Sequence, residues 1–391
     1  MIKDLKSISS LLLSVAFSSI GFIAAITVTT LAAREVSSSP LFLGFPNAVG
    51  VAGAVLGTRM IFLLSNRFSR LTALTLTFLT GAIGGLILFY SLIINSFLFL
   101  IFGAFILGIG QSATLQARYA ASFISREKFT ATALSLAVWF SVFGSVFGPR
   151  LISSYSEFFD NIFNSELIVG YIVALFGMFF ASLSMLAFTS KNNLLRKPSI
   201  IENPIAQEIN AKKSGNLLSL VLVLNHFIMV VIMSATPLHI QDIGETVKLV
   251  GVVISYHTLG MFLFSPILGK YVDKFGYKYF TYAGTIILLL SCLIILLYPE
   301  PTGLKIGLYL LGLGWNFNYV SISAAISKFS TKFKTPLNIQ SDSYVFIGSF
   351  VAHASLGLSY LMIGFQGLIF IGIFVSLYLI YNLKNLHNLN I

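Results

Sequence analysis

The sequence predicts an all-α integral membrane protein: twelve transmembrane helices in two six-helix bundles, with both termini in the cytoplasm. Three observations predict it. Of 391 residues, 57% are hydrophobic and only 9% are charged, and mean hydropathy is +0.91. A soluble domain carries roughly 25% charged residues, so this chain cannot coat itself for water and the bilayer must replace water around most of it. Apolar segments of about 20 residues, the length of one crossing, recur from end to end. The basic residues between them are sided. With the N-terminus placed in the cytoplasm, 20 of the 24 Lys and Arg residues fall on cytoplasmic segments, and only Arg34, Arg150, Lys248 and Lys305 fall outside. That bias sets orientation and requires an even number of crossings.

The crossings are expected at 8–33, 40–64, 71–92, 95–118, 129–151 and 166–190, then at 215–239, 247–268, 279–298, 302–327, 336–362 and 365–384. The first resembles a signal peptide, with early lysines and a small-residue end. Its apolar run from Ile8 to Ala33 is longer than a signal core of roughly 7–15 residues, so it reads as an uncleaved span. The net charge of +11 reports topology rather than nucleic-acid binding, because the cations lie in short clusters between apolar runs. Cys292, the single cysteine, sits in an apolar run and rules out an internal disulfide or a cysteine-based metal site. No cofactor is expected.

The longest polar stretch, Lys191–Asn216, holds two prolines and five basic residues without helical periodicity. It divides the chain into 1–190, a cytoplasmic linker 191–214, and 215–391. The halves are also related. At an offset of 207 residues Gly44 falls on Gly251, Gly53 on Gly260, Leu56 on Leu263 and Phe68 on Phe275, and Asn66-Arg67 falls on Asp273-Lys274. Several matches at one offset in equivalent spans indicate an internal repeat. Two repeats around a midplane site are a transporter architecture.

The stretch Gly269–Lys278, GKYVDKFGYK, resembles the loop signature GxxxDRxGRR of the major facilitator superfamily, between spans 8 and 9. Gly269, Asp273, Lys274, Gly276 and Lys278 carry it. The first-half copy at 62–70 keeps Arg67 and Arg70 but has Asn66 for the aspartate, Ser69 for a glycine and Phe62 for the leading glycine. Gly144, Gly148 and Pro149 in span 5 resemble the antiporter signature of that superfamily's drug/proton exporters, without its following glycine pair. LQARYAAS, ATPLHI, HTLGMFLFSP, LGLGWNF and IQSDS are similar to stretches of bacterial efflux-type permeases. The resemblance implies a monomeric, multi-pass permease of the cell membrane that carries a small amphipathic compound by alternating access, in exchange for protons. In one departure, Ala104 stands where many proton-coupled relatives have an intramembrane arginine.

Polar and ionisable residues inside spans are costly and mark function by default. The resembled fold lines its cavity with spans 1, 4, 7 and 10. The candidates there are Ser18, Ser19, Gln111, Asn225, His226, Trp315, Asn316 and Asn318, each able to contact a ligand or to bond between helices. Asp342, with Ser349 and His353 on the same helical face, is a candidate for proton carriage or for a structural ion pair; His257 is a further titratable group. Arg59 shares a face with Asn66 and is the expected partner of Asp342 in an inner gate, while Asp273, Lys274 and Lys278 form the expected latch of the second half. No paired carboxylates, nucleophile–base set or metal cluster lies in the spans, so an enzyme is not expected. A nutrient importer without proton coupling is the alternative, and a lipid-handling protein ranks below it. If Arg59 and Asp342 form a gate, Arg59→Ala and Asp342→Asn each lower transport severalfold in a cell accumulation assay. Silence of both removes the gate.

Overall fold

In hydrocarbon every peptide group must find its partner within the chain, and the helix achieves this one segment at a time. The computed structural model describes residues 5–37, 39–124, 130–188, 205–328 and 334–387, and every regular element among them is helical. The helices are α1 (Leu5–Val36), α2 (Phe45–Arg67), α3 (Arg70–Ile93), α4 (Phe97–Ile124), α5 (Thr130–Trp139), α6 (Val142–Phe163) and α7 (Ile168–Phe188). They continue with α8 (Ile205–Asp242), α9 (Val247–Phe262), α10 (Ser265–Phe275), α11 (Tyr277–Leu297), α12 (Pro301–Lys328) and α13 (Lys334–His387). Ten stretches among the described residues are long and apolar enough to cross a membrane. The longest, Tyr344–Leu383, is interrupted at Gly364, whose φ of 65° and ψ of −175° break the helix between the runs expected at 336–362 and 365–384.

The stretch expected as a linker at 191–214 is helical from Ile205 on. Ala, Gln, Glu and Lys favour helix without any apolar stripe, so IAQEINAKK continues as helix into the apolar run. Three expectations need correction. The span expected at 129–151 is two helices, α5 and α6, parted at Phe140–Ser141. The span expected at 247–268 is likewise α9 and α10, parted at Leu263–Phe264 just before Pro266, which has no N–H to continue the ladder. The motif GKYVDKFGYK, expected as a loop, is helical up to Phe275 and turns only at Gly276.

The repeat is physical. Gly53 lies against the carbonyl of Phe105 in α4, and its counterpart Gly260 against the carbonyl of Tyr309 in α12. Gly44 abuts the backbone of His353 in α13, and Gly251 abuts Pro149 and Ser153 in α6. Small residues let backbones approach this closely. At the ends of α2 and α10 the same cation–π contact recurs: Arg67 lies 5.7 Å from the ring centre of Phe68, and Lys274 lies 5.1 Å from that of Phe275. Helices before 190 pack mainly among themselves, as do those after 205; α6 on α9, α2 on α13, α5 on α10 and α1 on α8 join the two sets.

The turns following these contacts differ. Ser69 is extended, at φ −145°, and its hydroxyl caps α3 by accepting the Thr72 N–H at 3.1 Å. Its counterpart Gly276 has φ 86° and ψ 160°, a region open essentially to glycine alone. A Cβ at Gly276 would meet nothing within 4 Å, so any penalty there is purely conformational. Gly276→Ala is therefore expected to cost about 1–3 kcal/mol, read as a lower thermal midpoint of the purified protein. Ser69→Gly is expected to cost only a few tenths.

Candidate functional site

A cavity of about 270 Å3 lies at the centre, walled by helices from both halves. The helix breaks deliver polar groups to it. At the α5–α6 break Ser141 faces the cavity and accepts a hydrogen bond from Ser19 Oγ of α1 at 3.0 Å. Met261 and Phe262, at the end of α9, face it at the second break. Asn47 of α2 lines it and donates to Thr30 Oγ1 at 3.1 Å. No Asp, Glu, Lys or Arg stands among the described lining residues.

One wall holds an aromatic stack. Trp315 and Tyr319, one turn apart on α12, stack with ring centres 4.5 Å apart and an interplanar angle of 15°. Phe262 meets Trp315 edge-on at 6.5 Å. The Trp315 indole Nε1 donates to His226 Nδ1 of α8 at 2.9 Å. His353 of α13, also on the cavity wall, lies 2.9 Å through Nδ1 from the carbonyl of Ser349, one turn earlier. Met229, Met233 and Met261 supply soft, deformable surface between these rings.

Of the residues singled out from sequence, Ser19, Gln111, His226, Trp315 and His353 line the cavity. Gln111 Oε1 is buried there without a hydrogen-bond partner. The other polar candidates bond between helices, away from the wall. Ser18 accepts from Thr114 at 2.9 Å, Asn316 accepts from Ser265 at 3.0 Å, and Asn318 donates to Asn225 at 3.2 Å and to Thr285 at 3.3 Å. His257 is sealed against the carbonyl of Leu308, 3.0 Å away. Gly144 and Gly148 pack on the α1 backbone at Ser19 and Ile20, and Pro149 lies within α6. Arg59, Asn66, Arg67 and Lys274 are exposed, and Arg70 begins α3. Gly269 lies 3.4 Å, by its would-be Cβ, from Ser135 of α5; Lys278 lies in the first turn of α11. The side chains of Asp273 and Asp342 lie outside the described residues, so the Arg59–Asp342 pair and the carboxylate of the latch do too. Sequence reading missed Asn47, Ser141, Tyr319 and the methionines. The four-residue spacing of Trp315 and Tyr319 was a usable signal.

Beyond the last cavity residue of α1, Thr29, a polar cluster joins the halves. Arg34 donates to Gln241 at 2.9 Å and to Asp242 at 3.1 Å, and Tyr360 of α13 donates to Asp242 at 2.6 Å. Beside it Ser165 donates to Glu35 at 3.4 Å, and burial, then the charge of Asp160, holds the Glu166 carboxyl above its ordinary range. Among the described residues no group of three or more His, Cys, Asp or Glu could hold a metal ion.

Residues 10–352 match the family model of the Major Facilitator Superfamily. The chain belongs to this superfamily. Its members are transporters rather than enzymes, and they bind small-molecule substrates within the membrane. The MFS-type transporter YdeG of Bacillus subtilis (strain 168) is 31% identical over 322 residues, covering 79% of this chain and 75% of the relative. The riboflavin transporter RfnT of Brucella anthropi is 25% identical over 320 residues, covering 77% and 75%. The partially occluded, inward-open xylose transporter XylE of E. coli superposes with a TM-score of 0.71 at 12% identity, over 97% of both chains. The human organic anion transporter MFSD10 gives 0.70 at 14% identity, over 97% and 99%. These likenesses establish the MFS fold.

The Arg34–Asp242 pair is partly exposed, with side chains 33% and 46% accessible. Pairs of this kind contribute about 0.2–1 kcal/mol, weak enough for thermal opening. Arg34→Ala is expected to raise severalfold the labelling of Thr29→Cys by an impermeant maleimide applied from the Arg34 face. Cys292 is buried and gives no background.

Proposed function

We propose that this MFS transporter exports an uncharged, amphipathic, ring-bearing compound by alternating access through the central cavity, driven by proton entry. The carrying observation is a cavity without fixed charge among its described lining residues, faced on one side by the Trp315–Tyr319 stack. A charged solute would lose hydration there without a partner to replace it, whereas a flat ring gains contact area and stacking. The export direction draws on Gly144, Gly148 and Pro149, which resemble the exporter signature. Proton coupling draws on Asp342, seven residues before Ser349 on α13, with His353 one turn further on.

In this reading the chain has twelve crossings in the cell membrane, as two six-helix bundles joined by a cytoplasmic linker over 191–214, with both termini cytoplasmic. The 20-to-4 division of Lys and Arg supports that orientation. The Arg34–Asp242–Tyr360 cluster then closes the outer face, while Arg59 and the Gly269–Lys278 motif serve the inner one. The protein acts as a monomer.

A second reading, uptake of a heterocyclic nutrient without proton exchange, is favoured by the likeness to RfnT and by Ala104, an apolar residue on the cavity wall. One assay separates the two. Accumulation of uncharged fluorescent ring compounds is followed in efflux-deficient cells expressing the wild type or Trp315→Ala, with and without a protonophore. Export predicts severalfold lower accumulation with the wild type, abolished by the protonophore and by Trp315→Ala. Higher accumulation that ignores the protonophore establishes uptake. No change across the panel overturns both.

A further inference from the structure

The shortest contacts of the two cavity histidines favour opposite tautomers. An indole N–H can only donate, so the 2.9 Å bond from Trp315 Nε1 makes His226 Nδ1 the acceptor. In the neutral ring the hydrogen then sits on Nε2, and His226 offers the cavity a donor. A carbonyl can only accept, so the 2.9 Å contact of His353 Nδ1 with the Ser349 carbonyl places the hydrogen on Nδ1. His353 Nε2 is left as a bare acceptor. It is closed off from water and has no hydrogen-bond partner, on a side chain 3% exposed that lines the cavity. The backbone of His353 is fixed in turn by Gly44, whose Cα abuts its carbonyl with no room for a side chain.

A donor on α8, an unmet acceptor on α13 and an aromatic stack on α12 therefore line one cavity. We propose that these three features recognise a planar, uncharged heterocycle carrying a lactam or imide edge, in which C=O and N–H stand side by side. The ring stacks on the open face of the Trp315–Tyr319 pair, the C=O accepts from His226 Nε2–H, and the N–H donates to His353 Nε2. The Trp315 indole is both shelf and lock: it supports the ring and fixes the tautomer that reads the edge. This rests on the reading that the cavity takes ring-bearing solutes, but not on the direction or coupling of transport.

The test is a binding measurement on purified protein in nanodiscs. The chain has two tryptophans, Trp139 and Trp315. Trp139 is off the cavity, so Trp139→Phe leaves Trp315 as the only tryptophan reporter. The probes are lumichrome, which has an imide and a lactam edge, 1,3-dimethyllumichrome, whose edges lack the N–H, and anthracene, which has no edge. Lumichrome is expected to quench Trp315 with an affinity about tenfold above that of 1,3-dimethyllumichrome, the worth of one net hydrogen bond. His353→Phe is expected to bring that ratio to about one. His226→Phe is expected to weaken both lumichromes by about tenfold without changing anthracene, and His226→Gln, whose amide accepts from Trp315 and still donates, to restore binding. Equal wild-type affinities for the two lumichromes overturn the edge, with or without variants that fold. If anthracene and both lumichromes all fail to quench, the ring-binding reading itself has failed.

Discussion

A peptide group in hydrocarbon has no water to fall back on, and each buried polar atom left without a partner costs as much as a lost hydrogen bond. This constraint makes the chain helical and then decides where it stops being helical. The breaks at Phe140–Ser141 and Leu263–Phe264 both fall beside the central cavity. A backbone that leaves the helix is tolerated there because neighbouring helices and the cavity surround it. The breaks in turn bring Ser141, Met261 and Phe262 to the wall.

The same constraint shapes the helix contacts. With no hydrophobic force between helices in lipid, association rests on close packing. Glycines at Gly53 and Gly260 bring α2 to α4 and α9 to α12, and those at Gly44 and Gly251 bring the two sets of helices together. The two copies of the repeat thus do equivalent packing work. They diverge at the turn that follows, where Ser69 caps a helix from an extended backbone and Gly276 takes a left-handed one. Loss of the glycine from the first copy of the motif is therefore compatible with its geometry: the chain there never enters the region that requires glycine.

Much of the fold was legible because apolar length and glycine punctuation are local signals. The break at Gly364 falls between two apolar runs, and the repeat at an offset of 207 residues could be read from identities alone. The early start of α8 was not, since its first turns rest on helix propensity rather than hydropathy. The cavity was legible residue by residue only in part. Adjacent helical positions point about 100° apart, so Ser19 faces the cavity while Ser18 bonds to α4, and Trp315 faces it while Asn316 bonds to Ser265. Composition finds such polar residues, but only packing says which way they point. The tautomers of His226 and His353 lie further out of reach, because they depend on partners 89 and 4 residues away.

The absence of fixed charge from the described cavity wall has an electrical consequence. Moving one elementary charge across 100 mV is worth about 2.3 kcal/mol, more than a partly exposed ion pair such as Arg34–Asp242 contributes. A neutral solute on an uncharged wall presents no such handle. Its binding is indifferent to membrane voltage, and in the proposed exchange voltage acts through the entering proton alone.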